Sequence, residues 1–77
     1  MYNVDKTIRD IAINIYALRK SKNISASKLG RMLGKAESTI TAWERGERVP
    51  SMKDILAICN VFSCSVDEMF KMQVSTS

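Results

Sequence analysis

The chain has 77 residues, of which 45% are hydrophobic and 26% charged, and this is the composition of one ordinary globular domain. It contains no His, the usual general base, and its two Cys cannot supply the four ligands of a structural zinc site. No run approaches the roughly 20 apolar residues of a membrane span, and residues 1–5 lack the features of a signal peptide. We therefore expect no enzyme activity, no metal, no cofactor, no membrane partner and a cytoplasmic location.

The net charge of +4 is unevenly distributed along the chain. Residues 18–53 carry nine cations against three Glu, whereas residues 1–17 are neutral and residues 54–77 have a net charge of −2. A basic middle between neutral and acidic ends is typical of a protein that presents one face to a polyanion. A solvated basic surface without a partner explains the same distribution equally well.

Apolar side chains recur at helical spacing in the first half of the chain, and no stretch shows the sustained alternation of a strand. The spacing predicts a first helix over about residues 6–21. Ser25 is a typical N-cap for a second helix, and Gly34 is typical of the position just after a helix. The side chains expected on the inner faces of these two helices are Ile8, Ile11, Ala12, Ile15, Leu18, Leu29, Met32 and Leu33.

A third helix is predicted to begin near Ala36 or Glu37 and to end at Gly46. Residues 47–50 form a connection, because Pro50 disfavours helical geometry at Val49. Two side chains of the third helix, Ile40 and Trp43, are expected to point into the core.

Two capping boxes indicate where the last two helices begin: Ser51 with Asp54, and Ser65 with Glu68. We expect residues 1–77 to form a single all-α domain, a compact bundle of about five short helices. Its core spans about residues 6–72, and residues 73–77 form a loose tail. The side chains expected on the inner faces of these two helices are Met52, Ile55, Leu56, Cys59, Phe62, Val66 and Met69.

Helices two and three, joined by a tight turn at Gly34, match the spacing of a helix-turn-helix. The stretch Trp43-Glu44-Arg45-Gly46 follows at the appropriate distance and leads to Pro50. With these motifs, the sequence resembles the phage repressor and Cro-like (Xre-type) helix-turn-helix family over about residues 8–70. The resemblance implies a lambda-repressor-like DNA-binding domain of five helices that works as a dimer on operator DNA.

By this resemblance, the outer face of the third helix reaches base edges in the major groove. Short Ser and Thr side chains can bond several bases, and a methyl group can touch a thymine methyl. Glu37 could accept a hydrogen bond from the N4 amino group of cytosine, or it could be a charge that only stabilises the start of the helix. The base-reading candidates are Glu37, Ser38, Thr41 and Ala42.

Cations and helix N-termini are the groups that bind the phosphate backbone of DNA. For each single cation, a plain solvated charge remains the alternative. The phosphate-contacting candidates are Ser25, Lys28, Lys35, Thr39, Arg45, Arg48 and Lys53.

The resemblance also implies an ion pair between Arg19 and Glu44, which would pin helix three to helix one. Three positions depart from the family pattern. Many members have Gln where this chain has Ala26, an apolar residue where it has Lys35, and Ser or Thr where it has Ala36. The missing N-cap costs on the order of 1 kcal/mol of helix stability.

Two functional hypotheses follow. The first is a sequence-specific regulator of transcription, a repressor that binds a palindromic operator in double-stranded DNA as a homodimer, with a seam drawn from Phe70, Met72 and Val74. The second is a protein-interaction module on the same fold, antitoxin-like or a scaffold, with only generic DNA affinity. A regulatory protein partner is compatible with either hypothesis.

Overall fold

The computed structural model describes residues 3–71, with the backbone alone at Lys71. This part of the chain folds into five helices and contains no strand, so the predicted all-α class and helix number are confirmed. None of these helices combines the length and the apolar character that crossing a membrane requires. The expected tail over residues 73–77 lies outside the described residues. The helices are α1 (Val4–Ser21), α2 (Ala26–Leu33), α3 (Glu37–Glu44), α4 (Met52–Phe62) and α5 (Val66–Lys71).

Helix α1 begins earlier than the predicted start at residue 6. Asn3 is its N-cap, and the Asn3 side chain accepts a hydrogen bond from the backbone N–H of Lys6 at 2.9 Å. Val4 is exposed, so the first turn adds nothing to the inner apolar face on which the prediction relied. The cap therefore sets the start of this helix.

The turn between α2 and α3 depends on two glycines. Gly34 has a φ of +70°, which is left-handed backbone that side chains rarely adopt. Gly30, inside α2, lies against the turn, and a Cβ there would be 2.6 Å from the carbonyl oxygen of Lys35. The sequence analysis identified Gly34 but missed Gly30, because nothing local in the sequence shows that the backbone of the turn passes so close.

All five helices contribute residues to the core, and most of the predicted inner faces point into it. Three residues were wrongly predicted to be inside: Met32, Met52 and Leu56 are each about half exposed. The ridge of α4 runs through Ile55, Ile58 and Phe62, so Leu56 lies to one side of it and Met52 precedes the core by a turn. The buried core residues are Ile11, Ile15, Ala26, Leu29, Ile40, Trp43, Ile55, Ile58, Cys59, Phe62 and Met69.

Helix α5 closes the bundle against α1. Met69 is fully buried, and Val66 and Phe70 are half-buried against the core. The buried side chain of Asn14 on α1 donates a hydrogen bond to the backbone carbonyl of Met69. The sequence analysis missed this contact, whose only signal is a polar residue beside Ile11 and Ile15.

Candidate nucleic-acid interface

Helix α3 is held from behind by the core and by one ion pair. Ile40 and Trp43 are buried. The guanidinium of Arg19 on α1 binds Glu44 in two places: Nε lies 2.7 Å from Oε2 and Nη2 lies 3.0 Å from Oε1. A third Arg19 nitrogen, Nη1, donates to the carbonyl oxygen of Ile24 at 3.0 Å. Helix α3 is thereby fixed both to α1 and to the loop that precedes α2.

The Arg19–Glu44 pair is largely shielded from water, with side-chain exposures of 11% and 8%. The hydrogen bond to Glu44 is the main cause that raises the pKa of Arg19 above its usual high value. The guanidinium therefore stays charged, and losing either partner would leave a poorly solvated charge.

The four base-reading candidates lie on the side of α3 that faces away from the core. Glu37 and Ser38 are exposed, and Thr41 and Ala42 are half-buried. The Thr41 hydroxyl donates to the carbonyl oxygen of Ser38 at 3.1 Å, so its proton is already engaged. Its oxygen can still accept a hydrogen bond from a base amino group, and its methyl group can contact a thymine methyl.

An open groove of about 550 Å³ separates the start of α3 from the end of α1 and the start of α2. It brings Ser25, Glu37 and Thr41 to one surface, although Ser25 is the N-cap of α2 and the other two lie on α3. The Ser25 oxygen accepts the backbone N–H of Lys28 at 3.0 Å, so its own proton can be donated to a ligand. The groove is lined by Arg19, Lys20, Asn23, Ile24, Ser25, Ala26, Glu37 and Thr41.

Four of the predicted phosphate-contacting cations are exposed: Lys28 on α2, Arg45 and Arg48 after α3, and Lys53 in the first turn of α4. Within residues 3–71, none of these four forms an ion pair. Thr39, the remaining candidate on α3, is half-buried. Contact of these residues with phosphate stays a prediction.

Lys35 differs from the other cations because it already has an anionic partner. Its Nζ lies 3.2 Å from Oδ1 of Asp54, in the first turn of α4. Burial acts to raise the pKa of Asp54, but hydrogen bonds from Lys35 and Ser51 outweigh it and hold that pKa below its ordinary value. The sequence analysis missed this pair, because its two residues lie on different elements.

The N-terminus of α3 has no side-chain cap, as the Ala36 departure predicted. Within residues 3–71, no side chain caps the unpaired N–H groups there, so they can accept an anion. Among the described residues, no cluster of three or more Cys, Asp and Glu could hold a metal ion.

The five-helix bundle, the glycine turn and the polar outer face of α3 together define a helix-turn-helix fold. The chain belongs to the helix-turn-helix family, which matches residues 15–69, and the Xre-type resemblance is confirmed. Repressor protein C2 of Salmonella phage P22 is 36% identical to it over 61 residues, which are 79% of this chain. The chain spans only 28% of the length of that repressor.

A second relative is the uncharacterized HTH-type transcriptional regulator YgzD of Bacillus subtilis (strain 168). It is 36% identical over 56 residues, which are 73% of this chain and 85% of YgzD. This relative is therefore matched over most of its own length.

Two solved structures support the lambda-repressor-like fold. The crystal structure of the P22 c2 repressor in complex with synthetic operator 9T in the presence of Tl⁺ has a TM-score of 0.73 and 34% identity, covering 79% of this chain and 92% of that one. The nuclear magnetic resonance structure of the DNA-binding domain of the P22 c2 repressor has a TM-score of 0.77 and 33% identity. It covers 87% of this chain and 88% of that one.

Proposed function

We propose that this protein is a sequence-specific regulator of transcription that binds double-stranded DNA and acts as a repressor. The observation that carries the proposal is the outer face of α3, where Glu37 and Ser38 are exposed and Thr41 is half-buried. Ile40 and Trp43, on the opposite face, are buried. A short helix whose inner face is packed on the core, and whose outer face carries polar side chains, can read bases directly in the major groove.

In the proposed complex, α3 lies in the major groove, and the elements around it bind the phosphates. Ser25 can donate its hydroxyl proton to a phosphate at the start of α2. Lys28 precedes α3 in the chain, Arg45, Arg48 and Lys53 follow it, and all four are exposed. With four cations per protomer, log K should fall against log salt with a slope of about −3.6 for each bound protomer.

We propose that two copies bind a palindromic operator whose half-sites lie about one helical turn, roughly 34 Å, apart. Doubling the contacts suits a domain that offers only one short helix to the bases. Phe70 stays a candidate for the seam, although it is half-buried against the protein's own core. The other two candidates, Met72 and Val74, lie outside the described residues.

The proposed regulator would act by occupying promoter DNA, without a chemical step of its own. In a bacterial cell, or a cell infected by a phage, this places its action in the cytoplasm. The operator-bound P22 c2 repressor structure supports the proposal, because this chain has the same fold at 34% identity.

The proposal is tested by selecting bound duplexes from a random pool at near-physiological salt and sequencing them. We expect a two-fold symmetric motif with half-sites one turn apart. Analytical ultracentrifugation with the selected duplex should show two protomers per site. A pool in which no sequence is enriched would contradict the proposal and would favour a protein-interaction module with generic DNA affinity.

A further inference from the structure

The turn that leads into α3 carries one cation whose charge is offset within the protein. Lys35 Nζ lies 3.2 Å from Asp54 Oδ1, and the two side chains are 37% and 19% exposed. The four cations proposed to bind phosphate have no such partner within residues 3–71. Lys35 is therefore set apart from them although it directly precedes the N-cap of α3.

Both ends of this ion pair are held in place by backbone contacts. The Lys35 N–H donates to the Gly30 carbonyl oxygen at 2.7 Å, and the Lys35 carbonyl oxygen lies against Gly30. Asp54 is held by its capping box: its N–H donates to Ser51 Oγ at 3.1 Å, and its Oδ2 accepts from the Ser51 N–H at 3.4 Å. The backbone at Lys35 and the Asp54 carboxylate are thus positioned, and the Lys35 side chain can rotate. Its rotation determines which anion the ammonium contacts.

The pair joins the residue that precedes the N-cap of α3 to the first turn of α4. Helix N-termini carry a partial positive charge, which disfavours a cation and favours an anion. An ammonium at the start of α3 is thus better placed beside an anion, and both a carboxylate and a DNA phosphate can fill that role. Neither side chain of the pair is buried, so the Lys35 ammonium is within reach of either kind of anion.

We infer that the Asp54 carboxylate takes the place of a DNA phosphate at Lys35, and so holds one cation of the helix-turn-helix back from the DNA. This inference rests on the proposed function. Asp54 then lowers the affinity for every duplex alike, without altering which bases α3 reads. Lys35 is a latent phosphate contact, and removing the Asp54 charge turns it into an actual one.

The test is the salt dependence of DNA binding by Asp54→Asn, measured by fluorescence anisotropy with the selected operator and with a scrambled duplex. The Asn side chain keeps an oxygen that can accept from the Ser51 N–H. We expect the slope of log K against log salt to steepen by about 0.9 per protomer on both duplexes. For each bound protomer, the affinity ratio of variant to wild type then rises about fivefold as salt falls from about 0.3 M to about 0.05 M.

Asp67→Asn is the matched control, because Asp67, like Asp54, is an aspartate in the first turn of a helix, here α5. It changes the net charge by the same amount, but we expect it to leave the slope at the wild-type value. The double variant Lys35→Gln/Asp54→Asn should also return to the wild-type slope, because it lacks the released cation. An Asp54→Asn slope equal to that of Asp67→Asn would overturn the inference.

Lys35→Gln alone separates a latent contact from an existing one. We expect its salt slope to match that of the wild type. A slope shallower by about 0.9 would show that Lys35 already binds phosphate, and would overturn the inference.

A measurement without DNA tests the ion pair itself. Titration of the Asp54 carboxyl by nuclear magnetic resonance should show a higher pKa in Lys35→Gln than in the wild type, and an unchanged pKa would overturn the inference. Failure of the proposed function would appear differently, as equal wild-type affinity for operator and scrambled duplex. The slopes on either duplex and the Asp54 titration would still decide the role of Lys35.

Discussion

Helices α3 and α4 begin in opposite ways. Helix α4 starts at Ser51 with a complete capping box, in which Ser51 and Asp54 satisfy each other's backbone N–H groups. Helix α3 starts at Ala36, which has the backbone geometry of an N-cap but no side chain to act as one. The Lys35–Asp54 pair joins the residue before Ala36 to the first turn of α4.

The difference shows that α3 is stabilised by contacts with other helices and not by a cap of its own. Eight residues without a side-chain cap make a marginal helix in water. What holds α3 in place is the burial of Ile40 and Trp43 together with the Arg19–Glu44 pair. These contacts are on the inner face and at the C-terminal end of α3. Its first turn and outer face are therefore left free to contact DNA.

Glu44→Ala should give the largest effect, since it removes the tertiary support of α3. It leaves the Arg19 guanidinium with little water and no carboxylate, so we expect a loss of about 3 kcal/mol in the free energy of unfolding. Urea denaturation measures this loss. Lys6→Ala is the control, because it breaks the more exposed Lys6–Asp10 pair at 2.8 Å and should cost about 0.5 kcal/mol or less. Equal losses would contradict our view of how α3 is held.

Gly30→Ala should give the next largest effect, since it disturbs the turn that positions α3. The added Cβ would meet the Lys35 carbonyl oxygen at 2.6 Å, and a backbone atom cannot rotate away. We expect destabilisation by about 2 kcal/mol in urea denaturation. Ala57→Ser is the control. Ala57 is exposed on α4, so we expect the free energy of unfolding to change little. A Gly30→Ala protein as stable as the wild type would show that α2 and the turn are less closely packed.

Ala36→Ser tests the difference between the two N-termini directly. Supplying the missing N-cap should raise the free energy of unfolding by about 1 kcal/mol, and Ser51→Ala should lower it by a similar amount. The two variants make opposite changes at equivalent positions, so each is the control for the other. No gain from Ala36→Ser would mean that another group already satisfies the start of α3.

The smallest expected effect is the pH dependence of the Lys35–Asp54 pair. The folded protein holds the pKa of Asp54 below its unfolded value of about 4, so the carboxylate stabilises the fold above that pH. This contribution is lost as the pH falls through the folded-state pKa. Lys35→Gln should therefore cost up to about 1 kcal/mol at pH 7, and this cost should shrink as the pH falls below about 4. A cost that does not shrink with falling pH would show that the ion pair is not its source.

Much of the fold could be predicted because its signals are local. Two Ser-led capping boxes, a left-handed Gly34 and the apolar periodicity place the helices close to where the structure has them. The candidate base-reading side chains follow from the same periodicity, because a residue opposite Ile40 and Trp43 must face outwards.

The rest depends on contacts between elements, which no local pattern contains. The hydrogen bond from Asn14 to Met69 joins α1 to α5, and the Lys35–Asp54 pair joins the turn to α4. Leu56 and Ile58 are both good core residues by type, and only the direction in which α4 packs decides that Ile58 is the buried one. The Arg19–Glu44 pair also joins distant elements, and it was expected only through the family resemblance.

The proposed function depends on the claim that the outer face of α3 reads bases, and substitutions on that face can refute it. The selected operator is varied at each half-site position, and wild type, Ser38→Ala and Thr41→Ala are titrated against every duplex. We predict that each variant loses about 1–3 kcal/mol of discrimination at one or two particular positions. Lys28→Gln should instead weaken binding to all duplexes alike. If Ser38→Ala and Thr41→Ala left discrimination unchanged at every position, the claim would be contradicted.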